Sequence, residues 1–152
     1  MPGNGGAANT DGVVALYSSI GSVANPFPGG APYNLGRTMT HEVGHWLGLR
    51  HIWGDGGCGV DDFCADTPSS DASNFGCPNV VNCASTDMVE NYMDYTNDPC
   101  MDIFTADQKD RIRTVMLNSP RRILLPNSQK CGLPVPTISF VNDNGGSVNE
   151  GT

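Results

Sequence analysis

Long hydrophobic runs are missing from this chain of 152 residues. The longest, from Val13 to Tyr17, has five residues. A helix that crosses a bilayer needs about 18 or more consecutive apolar residues. The sequence therefore predicts no membrane span.

Basic residues are also scarce. Lys and Arg number 8 against 16 Asp and Glu, which leaves a formal net charge of −8. Surfaces that bind nucleic acid neutralise phosphates with clustered Lys and Arg. The composition therefore disfavours nucleic acid as a partner.

Acidic residues are dense in the middle of the chain, where eleven lie between His51 and Gln108 with no Lys or Arg among them. Such a segment repels itself unless it is solvated or binds a cation. Two interpretations stay open: a solvated acidic surface, or bound Ca²⁺, which prefers Asp carboxylates and loop carbonyls. If structural Ca²⁺ binds, we expect it near the group Asp61, Asp62, Asp66 and Thr67.

The C-x-x-C pairs of zinc ribbons and thioredoxin-like proteins are absent. An even number of cysteines in a Gly-rich, loop-like region favours disulfides and an oxidising compartment, with unpaired buried thiols as the alternative. We therefore predict a secreted protein. The six cysteines are Cys58, Cys64, Cys77, Cys83, Cys100 and Cys131.

Few segments have the pattern of a regular element. The β-branched and aromatic residues of Gly12–Ser19 predict a strand. Asn34 is a candidate cap for a helix over about 35–48, which we expect Gly48 to end in a left-handed conformation. Residues 51–103 have no regular pattern, so they depend on staples or ions for order.

The last third of the chain holds a second predicted helix and a change of composition. The T-x-x-Q capping box formed by Thr105 and Gln108 predicts a helix over about 105–118. Residues 126–136 are typical of a linker. We expect residues 137–152 to begin a further β-sandwich module.

The first predicted helix carries the pattern HExxHxxGxxH, from His41 to His51. His41 and His45, four residues apart, lie on one helical face. A sharp turn at Gly48 brings His51 back as a third ligand. Three protein ligands with an open fourth position are typical of catalytic zinc, and Glu42 is placed to act as a general base without being a ligand. Histidines satisfied inside a core are the alternative.

The surroundings of this pattern are similar to those of the pappalysin family of metzincin zinc endopeptidases. The similarity is carried by Tyr33–Thr38, His51–Asp55, Cys64–Pro68 and Asn91–Tyr95, and it covers about residues 11–118. It implies an α+β fold, a metzincin-type (zincin-like) catalytic domain over 1–125 with a loop-rich, disulfide-stapled lower subdomain.

The resemblance also implies how the N-terminal part of the domain is built. Only 40 residues precede His41, whereas a metzincin upper subdomain has further strands and a backing helix there. We therefore expect an N-terminally truncated domain. In metzincins an edge strand pairs with extended substrate, and Gly12–Ser19 is the candidate for that role.

The resemblance implies roles for two residues of the segment 91–95. Met93 is then the methionine of the Met-turn, which lies under the zinc. Tyr95 is the tyrosine that approaches the zinc and hydrogen-bonds the oxyanion of the tetrahedral intermediate.

A disulfide pattern is implied in the same way. The resemblance pairs Cys64 with Cys83 and Cys77 with Cys100. Cys58 and Cys131 are then left for a third pair.

The function predicted is that of a secreted zinc-dependent endopeptidase. It hydrolyses peptide bonds of protein or peptide substrates by a metal-activated water, with Glu42 as the general base. The tail at Ser147–Gly151 resembles the opening of a Calx-β module, which implies a longer multidomain chain. The alternative is a non-catalytic, Ca²⁺-stabilised adhesion or binding module derived from a protease.

Overall fold

Two α-helices joined by long loops are the main elements of the residues that the structure describes. The structure, a computed structural model, describes residues 7–128, 140–141 and 147–148. Helix α1 spans Arg37–Trp46 and helix α2 spans Ala106–Asn118. Short 3₁₀ turns occur at Ala8–Thr10, Tyr17–Ser19, Asp98–Cys100 and Leu125–Asn127.

Regular β-structure is limited to two short antiparallel pairs within the described residues. Strand β1 (Val81–Asn82) pairs with β2 (Ser85–Thr86), with Val81 opposite Thr86. Strand β3 (Phe140–Val141) pairs with β4 (Ser147–Val148). None of the described helices is long and apolar enough to cross a bilayer.

Helix α1 is capped by a residue that is distant in sequence. It begins after Gly36, which has φ 85° and makes no side-chain cap. The N–H groups of Leu35 and Arg37 donate to Oδ2 of buried Asp98, at 2.7 and 3.3 Å. Asn34 instead donates to the carbonyl of Phe27 at 2.8 Å, so its predicted role as the cap is wrong. The cap comes from a loop 61 residues downstream, which no local pattern marks.

The end of α1 follows the prediction. Gly48 has φ 93°, and its N–H donates to the carbonyl of His45 at 2.9 Å. The N–H of Leu49 donates to the carbonyl of Gly44 at 3.0 Å, which completes a Schellman motif. A Cβ added at Gly48 would lie 2.7 Å from Cγ2 of Val115 in α2. Both the positive φ and this close contact therefore disfavour any residue with a side chain.

Helix α2 begins at the predicted capping box. The side chain of Thr105 accepts from the Gln108 N–H at 3.2 Å, and Oε1 of Gln108 accepts from the Thr105 N–H at 3.0 Å. The same Gln108 amide is fully buried and exchanges two hydrogen bonds with the amide of Asn91, at 3.0 and 3.1 Å. The cap of α2 therefore also holds the segment that precedes Met93.

The hydrophobic core lies beneath the chain that leaves α1. Its buried members are Leu49, Ile52, Trp53 and Met93, and Phe104 and Ile112 pack against them. Because the core includes the residues on either side of His51, burial there also fixes the course of the chain around that histidine.

The predicted strand Gly12–Ser19 does not form. The segment is irregular and ends in the 3₁₀ turn at Tyr17–Ser19. Val14 and Leu16 are 89% and 66% exposed, and the segment has no ladder partner among the described residues. Strand propensity alone does not make a strand, because the backbone groups need a neighbour to pair with.

One of the implied disulfides is confirmed and one is wrong. Cys77 pairs with Cys100, as expected, but Cys83 pairs with Cys58 rather than with Cys64. Cys64 is unpaired and buried within the described residues, and burial is the main cause that raises the pKa of its thiol to about 12. Sequence spacing could not separate Cys58 from Cys64, because both lie in the same irregular loop.

The proposed domain boundaries fall largely on residues that the structure leaves undescribed. Residues 129–136 of the predicted linker, together with Cys131, lie outside the described residues. Most of the predicted module over 137–152 does too, apart from β3 and β4. These boundaries stay predictions.

Replacing Asp98 with Ala should destabilise the protein by about 2 kcal/mol, because a buried carboxylate that accepts two backbone N–H bonds at a helix start is lost. The free energy of unfolding in urea measures this. Asp102→Ala is the matched control: Asp102 is exposed, so we expect a change within about 0.5 kcal/mol. Equal losses in the two variants would contradict the capping role.

Candidate metal centre

The structure brings the three histidines of the chain to one point. His41 and His45 project from consecutive turns of α1, and the reversal at Gly48 returns His51 to them. One ring nitrogen of each lies within 4.8 Å of the others, and Nε2 of His45 is 3.0 Å from Nε2 of His51. A tetrahedral zinc with Zn–N bonds of about 2.0–2.1 Å separates its nitrogens by about 3.3 Å. The donor set therefore fits zinc.

The second nitrogen of each ring has a partner of its own. Nδ1 of His41 lies 2.7 Å from the carbonyl of Tyr92, and Nδ1 of His45 lies 3.0 Å from the carbonyl of Leu49. Nδ1 of His51 hydrogen-bonds Oδ1 of Asp55. Because these oxygens accept, each Nδ1 is the protonated nitrogen and each Nε2 keeps its lone pair for a metal.

Burial favours the neutral form of His41 and His45. It lowers the pKa of His41 to about 4 and also lowers the pKa of His45, and in both cases the neighbouring imidazoles lower it further. Metal ligation needs neutral imidazole. At neutral pH both rings are therefore in the protonation state that a zinc ligand requires.

Met93 lies directly against α1. A Cβ added at Gly44 would be 2.6 Å from Sδ of Met93, so only glycine allows this approach. The turn around Met93 is held by Asn91, whose Oδ1 accepts from the Met93 N–H at 2.9 Å and whose carbonyl accepts from the Asp94 N–H at 3.0 Å. The turn thus supports the helix that carries two of the histidines.

Tyr95 stands beside the histidines. Its ring centroid is 5.5 Å from that of His41 and 4.9 Å from that of His51. Burial raises the pKa of the Tyr95 phenol, and the carboxylates of Asp55 and Glu42 raise it further. The phenol is therefore protonated at neutral pH and is available as a hydrogen-bond donor.

Glu42 and Tyr95 line the same cavity, which measures about 280 Å³ and also includes His41. Its remaining wall comes from segments far apart in sequence, and sequence reasoning did not find those residues as site residues. They share no motif, and only the folded chain places them together. Among them are Tyr33, Thr38, Phe75, Thr96, Asp98 and Met101.

The acidic residues near Asp62 do not all meet. The carboxylate of Asp62 is buried and accepts from the Thr67 hydroxyl and from the Cys64 N–H, each at 2.9 Å. Asp61 and Asp62 line a second cavity of about 280 Å³ with Thr67. Asp66 is directed elsewhere, because its Oδ2 accepts from the Asp107 N–H in α2 at 2.9 Å. Asp66 therefore does not join the predicted group.

In the described part of the chain, one other set of metal-ligand side chains comes close together. It consists of Cys58, Asp71 and Cys83. The two cysteines are joined in a disulfide, so their sulfurs are not free thiolates.

Sequence comparison finds relatives that cover the centre of the chain. The profile of peptidase family M43, described as pregnancy-associated plasma protein-A, matches residues 30–117. An extracellular metalloprotease of Sordaria macrospora is 45% identical over 102 residues, which is 63% of this chain and 36% of that protein. Extracellular metalloprotease 1 of Coccidioides posadasii is 43% identical over 108 residues, 69% of this chain and 37% of that protein. The chain thus spans little more than a third of these relatives.

Solved structures with the same fold are found as well. Mature mirolysin of Tannerella forsythia, in complex with a cleaved peptide, has a TM-score of 0.65 and 43% identity over 78% of this chain and 48% of that one. Mirolysin in complex with compound 9 has a TM-score of 0.66 and 46% identity over 76% of this chain and 46% of that one. These likenesses confirm the predicted metzincin-type fold class.

The metal-free protein should lose stability as the pH falls from about 6.5 to about 4. The pKa of His41 is about 4 in the folded protein, whereas that of a histidine in water is 6.5. The unfolded chain therefore binds the proton first, and the contribution present above pH 6.5 is lost on acidification. A difference of this size corresponds to about 3 kcal/mol. Urea unfolding across this range measures it. His41→Gln should have a shallower pH dependence, and identical slopes would contradict the assignment.

Proposed function

This chain belongs to peptidase family M43, the pregnancy-associated plasma protein-A family, and we propose that it is a secreted zinc-dependent endopeptidase. The observation that carries the proposal is the convergence of three imidazole nitrogens beside a cavity that contains Glu42. The names of the fungal relatives, extracellular metalloproteases, support both the activity and the secretion. The cleaved peptide bound to mirolysin supports protein or peptide substrates.

His41, His45 and His51 would hold the zinc through Nε2. Three protein ligands leave one position open, as in catalytic and not structural zinc sites. When bound there, the ion supplies a Lewis acid that activates water and polarises a carbonyl group.

Glu42 is the proposed general base. It follows His41 directly on α1, so its side chain does not share the face of the two ligands and reaches the cavity instead. Its carboxylate takes the proton of the attacking water and passes it to the amine that leaves. A side chain with this role must lie beside the metal without binding it, and the cavity that Glu42 shares with His41 supports this role.

Tyr95 is the proposed oxyanion donor. Its phenol is protonated at neutral pH, partial burial raises its pKa further above the usual range, and its ring lies against His41 and His51 at the edge of the cavity. A neutral O–H donor placed there stabilises negative charge that develops on the carbonyl oxygen.

The presence of Glu42 in the cavity favours the endopeptidase over the non-catalytic binding module. A module that only bound its partner would have no chemical need for a carboxylate beside the three imidazoles. The match to a peptidase family also favours the endopeptidase.

We also propose a structural Ca²⁺ at the second cavity. Asp61, Asp62 and Thr67 line it, and the charge of Asp61 adds to burial in raising the pKa of Asp62. A divalent cation would relieve this repulsion, and carboxylate and hydroxyl oxygens are suitable ligands. Asp66 is left out of this site, because it bonds α2.

Glu42→Gln should retain one zinc per chain and lose at least about 100-fold in peptidase rate, because only the proton transfer is removed. Metal analysis after dialysis and a peptide-digestion assay measure the two quantities. Glu90→Gln is the control, since Glu90 is exposed and should keep both. A wild-type chain without zinc would contradict the metal site, and an active Glu42→Gln would remove Glu42 from the mechanism.

Millimolar Ca²⁺ should raise the melting temperature of the zinc-loaded protein, and Asp62→Asn should abolish most of that increase because a bound cation stabilises only the folded state. Asp110→Asn, which changes an exposed side chain of α2, should leave the increase intact. A melting temperature that does not respond to Ca²⁺ would rule the site out.

A further inference from the structure

The three histidines differ in what orients them. His41 and His45 are held by backbone carbonyls, those of Tyr92 and Leu49. His51 lies outside α1, and its Nδ1 partner is a side chain, the carboxylate of Asp55. Backbone carbonyls thus orient the rings of His41 and His45, whereas the orientation of the His51 ring depends on one side chain.

Trp53 packs against the face of the His51 ring and restricts its orientation. The Trp53 ring stacks on His51 with centroids 4.3 Å apart and an angle of 4° between the planes. Trp53 is 9% exposed and belongs to the hydrophobic core. The stacking sets the plane of the imidazole, but a ring turned by 180° about Cβ–Cγ would stack equally well with its nitrogen and carbon positions exchanged, so a further contact is needed to direct Nε2.

The backbone between His51 and Val60 is folded so that Asp55 returns to the histidine. Gly54 has φ 62° and its N–H donates to the His51 carbonyl at 2.9 Å. A Cβ on Gly54 would lie 2.7 Å from the Val60 carbonyl oxygen, so glycine is needed there. Asp55 itself has φ 65°, a left-handed conformation that is uncommon outside glycine and that Asp and Asn tolerate best.

The left-handed backbone of Asp55 costs conformational free energy that glycine would not pay. The hydrogen bond to His51 explains why Asp stands there instead. The Asp55 side chain is 56% exposed, so burial does not hold it in place. A carboxylate that accepts from the Nδ1–H of a ligand histidine fixes the tautomer and makes Nε2 more basic.

We infer that Asp55 is a positioning residue of the metal centre. Its carboxylate fixes the direction of Nε2 of His51 toward His41 and His45, while Trp53 fixes the plane of the ring. The inference rests on the proposed function, in which His51 is a zinc ligand. It predicts that zinc affinity depends on a residue that does not touch the metal.

Two substitutions separate this role from that of a turn residue. Asp55→Gly keeps the left-handed backbone and removes the carboxylate, and Asp55→Asn keeps both the backbone and an acceptor oxygen but removes the charge. We expect Asp55→Gly to weaken zinc binding by about 10- to 100-fold and Asp55→Asn to lie between it and wild type. The melting temperature of the metal-free protein should not follow this order.

The measurement uses the full chain at fixed pH. Zinc Kd is obtained by competition with a chromophoric chelator, and the visible absorption of the Co²⁺-substituted protein reports whether the ligand geometry is kept. Asp110→Asn is the matched control, because it changes an exposed carboxylate on α2, and it should keep the wild-type Kd and spectrum.

The outcomes distinguish this inference from the proposed function. Wild-type Kd and an unchanged Co²⁺ spectrum in Asp55→Gly would overturn the inference while leaving the zinc site standing. So would equal losses of melting temperature with and without zinc at an unchanged Kd, since Asp55 would then act only in the turn. A wild-type chain that binds no zinc would overturn the proposed function and this inference with it.

Discussion

The reversal of the chain at Gly48 is the constraint on which the metal centre depends. A helix of ten residues can present two imidazoles to one point, but the third has to come from chain that has left the helix. The left-handed conformation of Gly48 makes that return short, and contact with Val115 of α2 leaves no room for a side chain. Leu49, the next residue, has two roles: its side chain packs in the core, and its carbonyl orients the ring of His45.

In the described part of the chain, polar contacts between segments that are distant in sequence hold the loops together. The amides of Asn91 and Gln108 bond each other in a fully buried position, and Asp98 caps α1 from a loop. Arg122 is 4% exposed, lies 3.7 Å from the ring centroid of Trp46 and bonds both that residue's carbonyl and Asp11. Most buried polar groups in proteins are hydrogen-bonded, and both partners are paired in each of these contacts. Together the contacts fix loops that have few backbone ladders.

Burial also sets the protonation of the groups around the centre, in opposite directions. It lowers the pKa of His41 and His45, which favours the neutral imidazoles, and raises the pKa of Tyr95, which favours the protonated phenol. One physical cause, removal of the charged form from water, thus prepares ligands and a hydrogen-bond donor at the same pH.

Local patterns were enough for the parts of the molecule that depend on neighbours in sequence. The histidines share a point because helical spacing and one glycine put them there, and α2 begins where Thr105 and Gln108 cap it. The capping box and the arrangement of the histidines follow from contacts within about ten residues, which the order of residues expresses directly. The family and the fold class, in contrast, came from the resemblance of the surrounding motifs to those of the pappalysins.

Tertiary structure decided the features whose partners lie far along the chain. It replaced Asn34 by Asp98 as the cap, paired Cys83 with Cys58, and left Gly12–Ser19 without the partner that a strand requires. Phe75 joins the cavity wall from a loop that is distant from α1 in sequence. Asp55 is only four residues from His51, but it meets that ring because Gly54 and Asp55 both take left-handed conformations. The spacing of residues does not record such loop paths, because they are set by which distant groups can be buried and paired together.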